Sequence, residues 1–238
     1  MANQNIATME DSKSRGKIIN LLATKSVNKY KVYDNTLETF KKIKVILKEF
    51  SEDIKEELQD NVNRIPVEYT ERNKYEVELK VAGDLLVFTM HSNIFQFPKA
   101  HAVMQSSYIK ENSLRSYSGT ISIYNFLADS FKYNRINDVG YLVGRIFINN
   151  DNHYIVEGKR QLGFLFNNFA TQEVKNESLI KIIESALQYA IEFDLLIPPY
   201  EQVKFVSVQE MNQITSSISL KTGKRLGFRY KAGNINIE

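Results

Sequence analysis

Cysteine is missing from all 238 residues of this chain. Without a thiol the chain forms no disulfide, carries no thiolate nucleophile, and builds neither an iron–sulfur cluster nor a thiolate zinc site. Its stability must therefore come from packing, which is natural in a reducing compartment. We expect a cytoplasmic protein.

Long hydrophobic runs are also missing. No stretch approaches the roughly 18 uninterrupted apolar residues of a membrane-spanning helix, and Ile18-Ile19 with Leu21-Leu22-Ala23 is too short for a secretory signal. The low content of proline (4 residues) and glycine (10 residues) argues against a long linker. With 43% hydrophobic and 25% charged residues, the composition is typical of a soluble globular protein, and we expect no membrane partner.

Apolar and turn residues alternate regularly between Asp138 and Asn168, which predicts a β-meander. The proposed strands are Val139–Ile148, His153–Glu157 and a third run, Gln161–Phe169, with turns between them. Further strands are expected at residues 75–81, 85–91, 94–97 and 120–126. The predicted fold class is α+β, an antiparallel meander sheet of about six to eight strands packed by two long helices.

The first long helix is signalled by Asn35-Thr36-Leu37-Glu38, which has the form of a capping box. We expect the helix to begin there and to end near Gln59, after a separate short amphipathic helix over residues 11–23. Its apolar stripe includes Phe40, Ile43, Leu47, Phe50 and Ile54. The stripe is typical of a face buried in the core, and a self-association interface is the alternative.

The second long helix is expected from Asn176 to about Asp194, before Pro198-Pro199. Beyond it, Val203, Phe205 and Ser207 suggest a strand. A second capping box, Ser207 to Glu210, predicts a short helix. A last strand is expected over residues 226–230.

The domain prediction treats residues 1–10 as a disordered tail and 11–62 as an N-terminal helical region. Residues 63–238 are expected to form the sheet with the C-terminal helices, in one continuous domain with residues 11–62.

Signatures of catalysis are scarce. The three histidines His91, His101 and His153 lack the spacing of a metal site, and no nucleophile elbow or phosphate loop is present, so we expect neither metal nor cofactor. The sharpest enzymatic hypothesis is a nuclease-like pair, Glu157 and Lys159, with Asp138 as a further carboxylate. The expected strand pairing places Asp138 about 20 Å from Glu157, at roughly 3.4 Å per residue, which argues against this site.

Charge is unevenly distributed, although the formal net charge is only +3. Asp11 to Lys48 carries ten basic residues against three acidic ones, and Glu49 to Asp60 carries six acidic residues against Lys55. Near the C-terminus, basic and aromatic residues interleave: Lys221, Lys224, Arg225, Phe228, Arg229 and Tyr230. This composition suits single-stranded nucleic acid, and a solvated edge strand is the explanation that we favour.

The sequence therefore favours a non-enzymatic intracellular module that binds a partner protein or a small ligand, with self-association as a homodimer as a further option. The alternative is a nucleic-acid-binding protein that uses its basic N- and C-terminal segments. A metal-dependent nuclease acting through Glu157 and Lys159 is the third hypothesis.

Overall fold

The computed structural model describes residues 13–58, 64–195, 197 and 199–217. Its largest element is an antiparallel sheet of seven strands. They are β1 Val67–Asn73, β2 Glu76–Val81, β3 Asp84–Met90, β4 Phe95–Gln96, β5 Tyr117–Leu127, β6 Tyr141–Ile148 and β7 Tyr154–Gly158. The spatial order is β1-β2-β3-β5-β6-β7, and β4 pairs with β5. The predicted α+β class with a meander sheet is confirmed.

Helices occupy one face of the sheet and the connections. Helix α1, Val27–Leu58, continues directly from helical residues 13–21 and the π-helical turn Leu22–Ser26. The others are α2 Ser107–Glu111, flanked by 3-10 turns Ala102–Gln105 and Ser113–Ser116, α3 Ala128–Lys132, α4 Gln161–Leu165, α5 Asn176–Ile191, α6 Tyr200–Val203 and α7 Val208–Ser217.

The core lies between the sheet and the two long helices, α1 and α5. Phe40 and Leu47 of α1, Ile183 of α5, and Phe88 and Ile121 of the sheet are at most 1% exposed and belong to one cluster. The alternation of apolar residues along each strand places one set of side chains on this side. The opposite face of the sheet is left for polar residues and a groove.

The predicted start of the first long helix is wrong. The helix passes through Asn35 without a break, and the Asn35 amide donates to the carbonyl oxygens of Asn149 (2.9 Å) and Asn150 (3.2 Å). No helix breaker precedes Asn35, so helix formation propagates backwards. The side chain then serves a tertiary contact instead of a cap.

Two further expectations need correction, and one strand was missed. Gln161–Phe169 is not a strand: residues 161–165 form α4, with Leu162 and Phe166 buried four residues apart at helical spacing. The strand expected at Val203–Ser207 is replaced by the end of α6 and a coil. Strand β1 was not predicted. The strand expected at 226–230 and the tail 1–10 lie outside the described residues.

The second capping box is confirmed. The Ser207 Oγ accepts from the Glu210 amide and the Glu210 carboxylate accepts from the Ser207 amide, each at 3.0 Å, immediately before α7. Reciprocal bonds of this kind satisfy two amides that a helix start leaves without partners.

Candidate functional site: an aromatic groove on the open face of the sheet

A groove of about 470 Å³ lies on the face of the sheet that α1 and α5 leave uncovered. Its floor is a row of hydroxyl side chains from β5, Ser118, Thr120 and Ser122. The walls are mainly apolar: Phe95, Phe97 and Pro98 line it together with Tyr124, Leu142 and Phe147. Apolar walls with a few placed polar groups are typical of small-molecule sites.

One wall exists because the chain leaves the sheet after β3. The amide of His91 still donates to the Thr120 carbonyl at 2.9 Å, and residues 92–94 then depart before β4 returns to pair with Ser118. Phe95 and Phe97 thereby stand beside the floor of β5. The short second pairing turns what would be a flat sheet surface into a groove.

The opposite wall depends on a β-bulge in β6. Ile123 pairs with Gly144 and Tyr124 pairs with Leu142, so Val143 is the extra residue. As a result Leu142 and Arg145, which are three positions apart, both line the groove. Strict strand alternation would place residues three apart on opposite faces of the sheet, so the sequence alone does not indicate that Leu142 and Arg145 share the groove.

A small aromatic core supports the groove from behind. The rings of Phe97 and Phe147 lie 5.0 Å apart, and both pack in a cluster that includes Tyr108 and Phe169. Burial raises the pKa of Tyr108 to about 12, with a further contribution from Asp151, which accepts its hydrogen bond. Packing against this cluster holds the aromatic wall of Phe97 and Phe147 in place.

Charged side chains at one end of the groove are bonded to one another. The Glu157 carboxylate accepts from Arg145 at 2.5 Å, and its other oxygen lies 3.2 Å from Nε2 of His101. The Arg145 guanidinium also lies over the Phe147 ring, 5.3 Å from its centre. One cation and one anion neutralise each other here, so the site does not favour a charged ligand.

The tautomer of His101 follows from its second contact. The Val103 amide donates to Nδ1 at 3.3 Å, and an amide can only donate. The neutral ring therefore carries its proton on Nε2 and donates it to Glu157. Both ring nitrogens are occupied, so His101 has no lone pair available to remove a proton from a substrate.

Two polar atoms in the groove lack partners among the described residues. Oγ of Ser118, a residue only 1% exposed, and Nε of Arg145 are both buried without a hydrogen bond inside the described protein. Leaving such groups unpaired costs roughly 1–3 kcal/mol each. Both atoms are shielded from solvent, so they mark a strained part of the groove wall, and the exposed part of the Arg145 guanidinium is what a ligand can reach.

A second depression, of about 680 Å³, lies over β1 and β2 on the same open face. Four of its charged side chains are matched in pairs, since Arg72 binds Glu78 at 2.8 Å and Lys80 binds Glu68 at 2.9 Å. It offers a more polar lining than the aromatic groove, which is therefore the better candidate site.

The residues of the nuclease hypothesis do not form a metal-binding cluster. Glu157 faces Arg145, Lys159 follows the end of β7, and Asp138 accepts from Ser130 at 2.6 Å. In the part of the chain that the structure describes, no group of three or more His, Asp or Glu side chains is placed to hold a metal ion.

The proposed interface stripe is largely internal. Phe40, Ile43 and Leu47 are 0% exposed in the core, and Phe50 and Ile54 pack partly buried against it. For the first three residues the structure supports the core interpretation over the self-association interface. The basic and aromatic residues Lys221, Lys224, Arg225, Phe228, Arg229 and Tyr230 lie outside the described residues, and their role stays a prediction.

No protein-family model, curated protein or solved structure matches the chain. Its function must be inferred from its own geometry. Over the described ranges, none of the helices combines the length and apolar character that crossing a membrane requires.

Proposed function

We propose that this protein is a non-enzymatic module that binds a small, neutral, amphipathic ligand in the aromatic groove. One observation carries the proposal: His91, His101 and Glu157, the groove side chains best able to move protons, all have partners, beside apolar walls that remain open. Glu157 binds both His101 and Arg145, and Nδ1 of His91 accepts the Asn93 amide at 3.0 Å, so neutral His91 carries its proton on Nε2. A closed polar network holds a ligand in place, and it leaves no base free to act on it.

The lining indicates what the ligand looks like. A flat apolar body suits the space between the aromatic wall of Phe97 and Phe147 and the side chains of Tyr124 and Leu142, because aromatic faces stack readily. A carbonyl or similar acceptor at one end suits the Arg145 guanidinium, whose side chain is 43% exposed. Net neutrality is favoured because the Glu157 carboxylate lies beside the guanidinium and would repel an anion.

A fluorescence titration with PRODAN, a neutral naphthalene ketone, tests this proposal. Its emission shifts to shorter wavelength on leaving water, and the chain contains no tryptophan to interfere. We expect saturable binding to the wild-type protein. Ser122→Phe fills the groove floor and should abolish the blue shift.

The matched control is Thr70→Phe. Thr70 lies on β1, three strands away from β5, on the same open face; it is also half-buried, and it lines the second depression and not the groove. This variant should bind PRODAN as the wild type does. Equal loss in both variants, or retention in both, would show that the dye binds elsewhere and would reject the groove as the site.

A further inference from the structure

The helix that carries α1 begins as an arm outside the protein body. We call residues 13–31 the arm. From residue 13 to residue 27 none of its side chains is buried. Six large apolar side chains along it are 55–73% exposed, Leu21 among them. The other five are considered together: Ile18, Ile19, Leu22, Val27 and Tyr30. Exposed apolar patches of this kind commonly mark interaction surfaces.

The π-helical turn Leu22–Ser26 aligns these side chains into one stripe. It inserts one extra residue into the helix, so Val27 and Tyr30 come into line with Ile18 and Leu22. The two lysines between them turn the other way: Lys25 and Lys29 lie 5.5 and 5.6 Å from the centre of the Tyr117 ring. The stripe therefore faces away from the sheet.

The arm is also strongly basic. It contains six lysine and arginine residues and no acidic residue. A surface that covers the stripe must therefore be apolar and, for electrostatic complementarity, acidic.

Exposed apolar side chains also lie close together in the sequence near the other end of the described chain. We define the C-terminal patch as Ile197, Tyr200, Phe205 and Val208, which are 75–92% exposed. Residues 191–211, which contain the patch, carry four acidic side chains against one lysine. Glu201 pairs with that lysine and Glu192 pairs with Arg160, which leaves a net acidic contribution from Asp194 and Glu210. The patch is therefore apolar and mildly acidic, as the arm requires.

We propose that the arm of one copy docks on the C-terminal patch of a second copy, and that the reverse contact closes a twofold dimer. Two reciprocal contacts close the assembly without leaving an unsatisfied arm. Together they engage nine large exposed apolar side chains from each copy, which suits an interface of standard size, about 800 Å² per partner.

Two other surfaces of a second copy are less suitable as the docking site for the arm. Pairing arm with arm would bring six cations against six cations. The acidic second half of α1 has the right charge, but its apolar residues Phe50, Ile54 and Leu58 already pack against the core. The exposed residues left there are mostly charged and would not cover the stripe.

Sedimentation velocity of the full chain over a concentration series tests the proposal. We expect a monomer–dimer equilibrium that tightens when salt is lowered, because opposite charges are screened less. Leu22→Glu in the arm and Phe205→Glu in the patch should each weaken the dimer by about tenfold or more. Val45→Glu, on the same helix beyond the arm and 56% exposed, is the control and should leave the dimer unchanged.

Mixing the two defective variants separates this arrangement from other modes of association. The Phe205→Glu chain keeps an intact arm and the Leu22→Glu chain keeps an intact patch, so a mixture should form a heterodimer through one restored contact. Failure to restore any dimer in the mixture, or a Phe205→Glu chain that dimerises like the wild type, would overturn the proposal. A wild-type chain that stays monomeric at every concentration and salt would overturn it as well, whatever the groove binds.

Discussion

The His101 imidazole and the Glu157 carboxylate lie 3.2 Å apart, although 56 positions separate them in the sequence. His101 caps the 3-10 turn that follows β4, and Glu157 is near the end of β7. Their contact joins the two walls of the groove, since Arg145 of β6 binds the same carboxylate. Glu157 therefore acts as a structural anchor that holds the two walls of the groove together.

Glu157→Gln should therefore change which dyes the groove binds and should not abolish any enzymatic activity. The neutral amide keeps the size of the side chain but loses the charge-assisted bond with Arg145, which releases the guanidinium. We expect anionic naphthalene dyes, which the wild type disfavours, to bind the variant more tightly than they bind the wild type. Wild-type hydrolysis of plasmid DNA with Mg²⁺ or Mn²⁺ that Glu157→Gln abolishes would contradict this view and revive the nuclease hypothesis.

Gly119 has no space for a side chain. A Cβ there would lie 2.0 Å from Oγ1 of Thr36, a fully buried residue of α1. Gly119→Ala should therefore push the helix away from β5 and destabilise the fold by about 1–3 kcal/mol. Urea unfolding measures the loss. Gly83→Ala, where nothing lies within 4 Å, is the control; equal stability of the two variants would refute the close contact.

Asn35 and Glu38 provide a test of where the helix begins. If Asn35 were a cap, Glu38→Ala would remove half of a capping box and cost roughly 0.5–2 kcal/mol. In the structure Glu38 only forms an exposed pair with Lys41, so we expect a loss within about 0.5 kcal/mol. Asn35→Ala should cost about 1–2 kcal/mol, since it removes two bonds to the turn at Asn149 and Asn150. A loss of about 1 kcal/mol or more for Glu38→Ala in thermal unfolding would restore the cap.

Alkaline pH should weaken the fold through two tyrosines. Burial raises the pKa of both Tyr108 and Tyr141 to about 12, above the usual value near 10. Between about pH 10 and 12 the unfolded chain loses these protons while the folded chain keeps them, so stability falls as pH rises through this window. Replacing both residues with Phe should flatten that fall in urea midpoints measured across the window. An unchanged slope would show that they titrate normally.

The sequence predicted the architecture well where its patterns act locally. Strands β2, β3, β5, β6 and β7 follow from alternation, and α5 from its wide apolar face. The same capping-box pattern succeeded at Ser207 and failed at Asn35. The difference lies in the preceding residues: a coil precedes Ser207, whereas a run without breakers lets the helix extend through Asn35.

Those local patterns could not predict the groove. Its lining comes from six different parts of the chain, and it depends on the departure of the chain after Met90 and on the bulge at Val143. The bulge lies directly beside Gly144. Nothing in single-sequence periodicity brings His101 next to Glu157, because this contact exists only once the sheet has formed.

Isotope-edited NMR of the full chain with PRODAN tests the central claim most directly, since it locates the bound dye on named residues. We predict intermolecular contacts from the naphthalene to the side chains of Tyr124, Leu142 and Phe147. Contacts confined to the arm, to the C-terminal patch or to the charged depression over β1 and β2 would contradict the account.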